Sequence, residues 1–460
     1  MRRRRMKYFS IFLFFNFLII NFPISGQQKT ELKETFVEAE SYFLFDEYSE
    51  ALPLYLKLLN IFPDNANFKY RIGVCYLNIP GEKDKAIKYL EEASQVVNLK
   101  YREGSYREVA APIESFYYLG DAYRVNNMLN KAIETYQYFK DNLNPKDYDP
   151  EIVEHQIQTC HNAIKLEKSP LFLSMVNLGG TINTRFSDYN PVISGDEKSL
   201  IYTQKLQFYD AIFYSKKVEG KWTTPYNLTT ALSVDQDLYS TSLSYDGETL
   251  YLYKNDEYDG NIYKSKLIDG NWAPVVKLNE NINTKYWESH ATESKDGKTL
   301  YFTSNRKGGI GGLDIYKSEL DSTGAWGPAM NLGPKINTEY NEETPFLTHD
   351  SQTLYFSSRG HFSMGGYDIF YSSLYDDGNW STPLNMGYPI NTPDDDKFYV
   401  PAREGHYAYY SLFTKTGYGK MDIFNLEVFS DEHPRKFRVS GIVNLNQTPV
   451  GFQEKIQVYV

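Results

Sequence analysis

Ser294-Lys295-Asp296-Gly297-Lys298-Thr299-Leu300-Tyr301-Phe302 and, one repeat later, Gly365-Gly366-Tyr367-Asp368-Ile369-Phe370 are the stretches that decide the fold. Each sets a turn directly before a short alternating strand. In such turns Asp caps its own backbone, and Gly supplies the positive φ of tight hairpins. The same elements recur along residues 170–430. Strands open at Leu200, Leu250, Leu300 and Leu354, with Ala408 in the fifth place. Ile-Asn-Thr begins at Ile182, Ile282, Ile336 and Ile390. Asp210, Asp314, Asp368 and Asp422 open further strands, with Gly260 in the second place. Trp222, Trp272, Trp326 and Trp380 stand 50, 54 and 54 residues apart, so there are five units of about 50 residues.

Each unit offers four strands. In the fourth these are Thr344 to Thr348, Thr353 to Ser358, Asp368 to Leu374 and Trp380 to Met386. Four short antiparallel strands at this period predict a β-propeller blade, with Trp380 between neighbouring blades. The last unit has Asp422-Ile423-Phe424 but no following Trp-Pro strand. Ahead of the first unit, Phe172 stands five residues before Asn177, as Trp326 stands five before Asn331. The N-terminal strand is therefore expected to complete the last blade and leave no open edge. The Ser294–Phe302 and Gly365–Phe370 runs resemble the TolB-type, WD40-like propeller repeat.

Residues 29–168 carry a helical period instead. Ala39, Tyr42, Ala51, Tyr55 and Pro63 have counterparts in Gly120, Tyr123, Ala132, Tyr136 and Pro145, with a middle copy at Gly73, Tyr76, Ala86, Leu90 and Ala93. Small residues let paired helices approach, and the proline ends the second helix. The pattern resembles the tetratricopeptide repeat. It implies three repeats plus a capping helix over Glu151 to Lys168. The resemblance also implies a partner-binding groove lined by Phe36, Phe43, Tyr70, Tyr117 and Arg124. An inter-repeat core role is the other reading of the same aromatics.

Arg2 to Arg5 and Lys7, then an uncharged stretch from Tyr8 to Ile24 and small Ser25 and Gly26, read as a secretory signal over residues 1–26. Losing that head takes the formal charge from -11 to -16, and acidity excludes nucleic acid as a partner. Cys75 and Cys160, the 2 cysteines, support no disulfide framework and read as buried small hydrophobes. Residues 431–460 leave a short β tail, in which Val439-Ser440-Gly441-Ile442-Val443 resembles the opening of a carboxypeptidase-regulatory-like sandwich. The expected fold is thus α + β and multidomain: an N-terminal tetratricopeptide α-solenoid, a five-bladed β-propeller over 170–430, and the tail.

Six residues after the Ile of each Ile-Asn-Thr stand Asp188, Glu288, Glu342 and Asp396, and Asp237 falls within one place of this column. One reading is an acidic rim at the channel mouth that binds a cation or a basic partner segment. The other is turn-capping carboxylates. His290, His349, His361 and His406 have no ligand spacing, and no nucleotide or metalloenzyme motif is present. No metal site, cofactor or catalytic residue is therefore expected.

The domain order resembles periplasmic scaffold proteins of type IX secretion and gliding. Peptidoglycan binding is not implied, because the OmpA-like domain of that family is absent here. The resemblance implies an exported, non-catalytic scaffold, not an enzyme, at the periplasm or the periplasmic face of the outer membrane, with other cell-envelope proteins as partners. The alternative is a carbohydrate-active propeller, a lyase or hydrolase, or a glycan-binding module.

Overall fold

The computed structural model describes residues 26–233, 238–256, 259–431, 433–436, 444–445 and 448–449. The signal-like segment up to residue 25 and most of the tail lie outside them. Seven helices come first: α1 (Gly26–Leu44), α2 (Tyr48–Ile61), α3 (Ala66–Leu77), α4 (Asp84–Ala93), α5 (Ser115–Val125), α6 (Leu129–Asn142) and α7 (Pro150–Leu166). They pack as sequential pairs, α1 on α2, α3 on α4 and α5 on α6, with α7 laid on α6. Ala39, Ala51, Ala86, Ala93, Ala122 and Ala132 are fully buried at these contacts, where their lack of bulk lets the backbones approach. Cys75 and Cys160 are buried and free. No helix among the described residues is long and apolar enough to cross a membrane.

The strands form five blades. After β1 (Phe172–Asn177), the first blade holds β2 (Ser187–Ile193), β3 (Ser199–Lys205), β4 (Asp210–Val218), β5 (Lys221–Trp222) and β6 (Tyr226–Asn227). The second holds β7 (Tyr239–Leu243), β8 (Thr249–Asp256), β9 (Asp259–Ile268), β10 (Asn271–Trp272) and β11 (Val276–Lys277). The third is β12 (Glu288–Glu293), β13 (Thr299–Ser304), β14 (Asp314–Glu319) and β15 (Met330–Asn331). The fourth is β16 (Glu342–Leu347), β17 (Thr353–Ser358), β18 (Asp368–Ser373) and β19 (Leu384–Asn385). The fifth holds β20 (Val400–Ala402), β21 (Tyr407–Leu412) and β22 (Asp422–Phe429). Its outer strand is β1, paired antiparallel with β22 from Phe172↔Phe429 to Asn177↔Phe424. The ring is therefore a five-bladed β-propeller closed by its N-terminal strand. Trp380 of the fourth blade meets Tyr301 of the third edge-on at 6.0 Å, and Trp272 of the second meets Tyr214 of the first at 6.1 Å.

The Ile-Asn-Thr tripeptide is the joint between blades. Asn337 Oδ1 accepts from Ile315 N at 2.8 Å and its amide donates to Ile315 O at 3.0 Å, imitating one more strand residue. Asn283, Asn391 and Asn183 do the same to Ile262, Ile369 and Ile423. The preceding Ile is buried in each case. In the first joint Thr229 Oγ1 takes the place of the Asn, accepting from Ile212 N at 3.0 Å.

Beside each of the later joints a glycine lies against the next link. A Cβ on Gly365 would stand 2.2 Å from Asp394 O and 2.3 Å from Thr392 O, both backbone atoms. Gly365→Ala must push the fourth and fifth blades apart. It is expected to cost about 3 kcal/mol, read as a lower melting temperature of the full chain. An unchanged melting temperature would show that the joint is not tight.

Three loops at one end of the ring touch the helices. Lys83 pairs with Asp394 at 2.7 Å, and Arg124 donates to Pro393 O. His155 Nε2 lies 2.9 Å from Arg359 O, and its ring stacks on Tyr340 at 4.3 Å. Asn162 donates to Ser363 O at 2.8 Å. The helical unit thus sits on the end of the propeller at which the inner strands begin, over the fourth and fifth blades.

Candidate functional site at the channel mouth

The four described acids of the predicted column do not form a rim. Asp188, Glu288 and Glu342 are fully buried, and Asp396 nearly so. Each accepts from the backbone N–H and the hydroxyl of the Thr four residues before it. For Glu342 the distances from Thr338 are 2.8 and 2.7 Å, with Ser358 Oγ at 2.7 Å. The same bonds run from Thr184 to Asp188, Thr284 to Glu288 and Thr392 to Asp396. Burial pushes Asp188 up to about 6 and raises Glu342 and Asp396 as well. These acids fasten each inner strand to the joint before it, and no partner can reach them. Asp237 lies outside the described residues. Strand register gives the equivalent place in the second blade to buried Leu238, because Tyr239 pairs with Tyr253 as Tyr189 pairs with Thr203.

The expected groove residues are packing elements too. Phe36 and Tyr70 are buried, against Phe68 at 6.0 Å and Tyr118 at 5.7 Å. Phe43 is half-buried under the Arg71 guanidinium, and Tyr117 lies between Tyr136 and Phe139. Arg124 is buried by Asp121, Tyr136 and the propeller carbonyl of Pro393. Helix packing thus buries Phe36, Tyr70 and Arg124 and leaves Phe43 and Tyr117 only partly exposed.

The residues that converge on the channel come one and two places after the buried acids. Each of the first four inner strands carries a bulge there, seen as register breaks after Tyr189, Ser240, Ser289 and Glu343. Asn190, His290 and Thr344 adopt positive φ at this level, and so does Phe398 at the head of the fifth blade. A bulge re-aims the side chain. As a result His290 of the third blade packs against Phe398 of the fifth at 5.2 Å and Tyr253 of the second at 5.0 Å. Tyr253 in turn stacks on Tyr239 at 4.8 Å and reaches Trp287 at 6.3 Å.

Facing this aromatic wall is a charged group centred on Tyr367. Its hydroxyl donates to Glu343, and its backbone N–H donates to Asp395 at 2.9 Å. Asn341 donates to the same hydroxyl oxygen at 3.0 Å. Lys397 Nζ stands 3.6 Å from the Tyr367 ring centre and 3.2 Å from Glu343 Oε2. The Arg359 guanidinium lies 4.5 Å from the ring centre and 4.0 Å from Asp395. Burial pushes the Glu343 carboxyl up, but Lys397, His290 and the Tyr367 hydroxyl bring it below its ordinary range. Asp395 is likewise held low, by Arg359 and Lys397 against burial. The helices serve this geometry, since α7 holds the Arg359 loop and Lys83 and Arg124 hold the loop that carries Asp395.

The opposite end of the channel narrows to a cavity of about 40 Å³ between Ile193, Leu243, Glu293, Leu347 and Val400, room for a few waters. Among the described residues no cluster of His, Cys, Asp and Glu could hold a metal ion.

Burial holds His290 neutral, down to about 4 from an ordinary 6.5, with Lys397 pushing the same way and Glu343 opposing. A histidine depressed in the folded state contributes stability that is present above pH 6.5 and is lost as the pH falls towards 4. His290→Gln is therefore expected to flatten the fall of stability across that window, by up to about 1.4 kcal/mol per pH unit. Denaturant unfolding of both proteins at several pH values checks this, and parallel curves would contradict it.

No model of a known protein family matches the sequence, and no curated protein matches it. Among solved structures the chain is similar to TolB from Acinetobacter baumannii, at 16% identity over 61% of this chain and 71% of that one, TM-score 0.36. It is similar to an α-L-arabinofuranosidase from Lactobacillus brevis, at 12% over 59% and 97%, TM-score 0.38. It is also similar to a gluconolactonase from Xanthomonas campestris, at 14% over 57% and 92%, TM-score 0.35. At these scores the likeness assigns no activity or ligand. The expectation that the chain is not an enzyme is nevertheless withdrawn, because enzymes stand among the structures it is similar to.

Proposed function

We propose that the channel mouth is a carbohydrate site and that the protein acts on a neutral glycan there. The observation that carries this reading is the meeting of an aromatic wall, Tyr239, Tyr253 and Trp287, with two cation-paired carboxylates held on either side of Tyr367. Aromatic faces take the apolar face of a sugar ring, and carboxylates take its hydroxyls. Lys397 and Arg359 are already matched by Glu343 and Asp395, which disfavours a uronic acid. Hydrolysis of a glycosidic bond uses two carboxyl groups, one as proton donor and one as base or nucleophile. Lys397 holds Glu343 more closely than Arg359 holds Asp395, so Glu343 is the base or nucleophile. Asp395 is the group that picks up a proton when substrate excludes water and its pKa rises. Incubation with a panel of neutral polysaccharides, read by chromatography of released sugars, tests the assignment. Release by the wild-type chain and not by Glu343→Gln supports it, and equal release by both overturns it.

On this reading the helices are a tetratricopeptide-type stack that frames the mouth. The basic head and apolar stretch before Gly26 support export, and the domain order supports a periplasmic setting with envelope proteins as partners. Fractionation of cells carrying the tagged chain tests the location, and recovery from the cytoplasm would contradict it.

A further inference from the structure

The second blade departs from the repeat in two places, both at the mouth end. The residue paired with the central isoleucine of the next strand is Thr203, Thr303, Ser357 or Ser411 in the other blades, and Tyr253 in the second. The buried acid is replaced by Leu238. Gly260 stands two residues before Ile262, where the first blade has Asp210 before Ile212, while in the other three blades the Asp directly precedes the Ile. The reason for the glycine is Trp287. A Cβ at residue 260 would come 2.7 Å from the indole Cδ2 and 3.0 Å from Glu288 O. Two polar positions of the repeat have thus been given up beside a half-buried Trp lying across a glycine, with Tyr253 next to it. A repeat that breaks its own pattern without a gain in packing marks a functional position.

Beside Trp287 lies an open cleft of about 390 Å³, lined also by Asp259, Lys285, Tyr286, Asn305 and Leu313. Its size falls within the roughly 300–1,000 Å³ of small-molecule clefts. Asn305 fixes the backbone of Trp287 from both sides, accepting from its N–H at 2.8 Å and donating to its carbonyl at 3.1 Å. The aromatic run Tyr239, Tyr253, Trp287 connects the mouth to this cleft without a break.

We propose that this cleft is a second sugar subsite, in which Trp287 takes a pyranose ring of the same glycan chain whose neighbouring unit occupies the mouth. Trp287 stacks on the ring, and Asp259, Lys285 and Asn305 hydrogen-bond its hydroxyls. The proposal rests on the carbohydrate reading of the mouth.

The test titrates the full chain with neutral β-1,4-linked gluco- and xylo-oligosaccharides of one to six units, by calorimetry and by tryptophan fluorescence. Affinity is expected to rise at least tenfold between the single sugar and the trisaccharide. Trp287→Ala is expected to abolish that rise, so that the trisaccharide binds no more tightly than the single sugar. Gly260→Asp, which sets a side chain against the indole and displaces it, should do the same. Trp287→Phe preserves a ring and is expected to retain part of the rise, while losing the fluorescence change. If the rise persists in Trp287→Ala and Gly260→Asp, the subsite is refuted and the mouth reading stands. If no sugar of any length binds the wild-type chain, both fail.

Discussion

A propeller that begins at Thr181 will not close, whereas one that begins at Ser169 will melt as a single cooperative unit. β1 contributes six paired residues to the edge of β22. Asn177 adds a bond to Asp422 at 2.8 Å and accepts from Asn183 at 2.8 Å. Leu173 and Leu178 pack on the core of the first and last blades. Two partly buried leucines and a ladder of hydrogen bonds together stabilise by roughly 5 kcal/mol, as much as the whole stability of many domains. Their loss also bares β22 as an open edge, ready to pair with another chain. The shorter protein is expected to elute as aggregate and to lack a sharp thermal transition. Matching melting curves for the two chains would contradict the closure.

The second large effect is chemical. Glu343→Gln keeps the side-chain volume and an acceptor for the Tyr367 hydroxyl but removes the charge that Lys397 faces at 3.2 Å. The side chain is 12% exposed at the mouth and the Gln keeps its bond to the Tyr367 hydroxyl, so melting should shift by only a few degrees. Loss of a positioned acid–base group costs about 10² to 10⁴-fold in rate, and glycan turnover is expected to fall by at least that lower figure. Lys397→Met, which leaves Glu343 unpaired and free to take up a proton, should instead move the lower limb of the pH–rate profile upward. Turnover by Glu343→Gln at the wild-type rate would remove Glu343 from the chemistry.

The blades were legible because the residues that build them repeat. Ile-Asn-Thr, the strand-opening Asp and the turn glycines do the same mechanical work five times or nearly so, and spacing alone exposes them. The strand-closing role of Phe172 to Asn177 was readable for the same reason, as a fragment of the pattern out of place. The mouth was not legible, because its residues do not repeat. Tyr189, Tyr239, Ser289, Glu343 and Lys397 share one structural place filled by four different residue types. The column of acids one residue earlier drew attention because it is regular, and it is regular because it is structural. Side chains alternate along a strand, so a shift of one place turns a buried clamp into a channel-facing group. Tyr367 and Asp395 are hidden in another way: both lie in loops whose course depends on α5 and α7 packing on them from the other module. Gly260 was visible as a gap in the Asp series, and that gap was the one sequence signal pointing to Trp287.

The most direct measurement is a crystal structure of the full chain soaked with a neutral oligosaccharide. A sugar ring is expected between Tyr253 and Glu343, within hydrogen-bond distance of the Glu343 carboxylate and above His290, with the mouth side chains otherwise unmoved. A sugar bound elsewhere with the mouth empty, or a mouth filled by a protein segment, would contradict it.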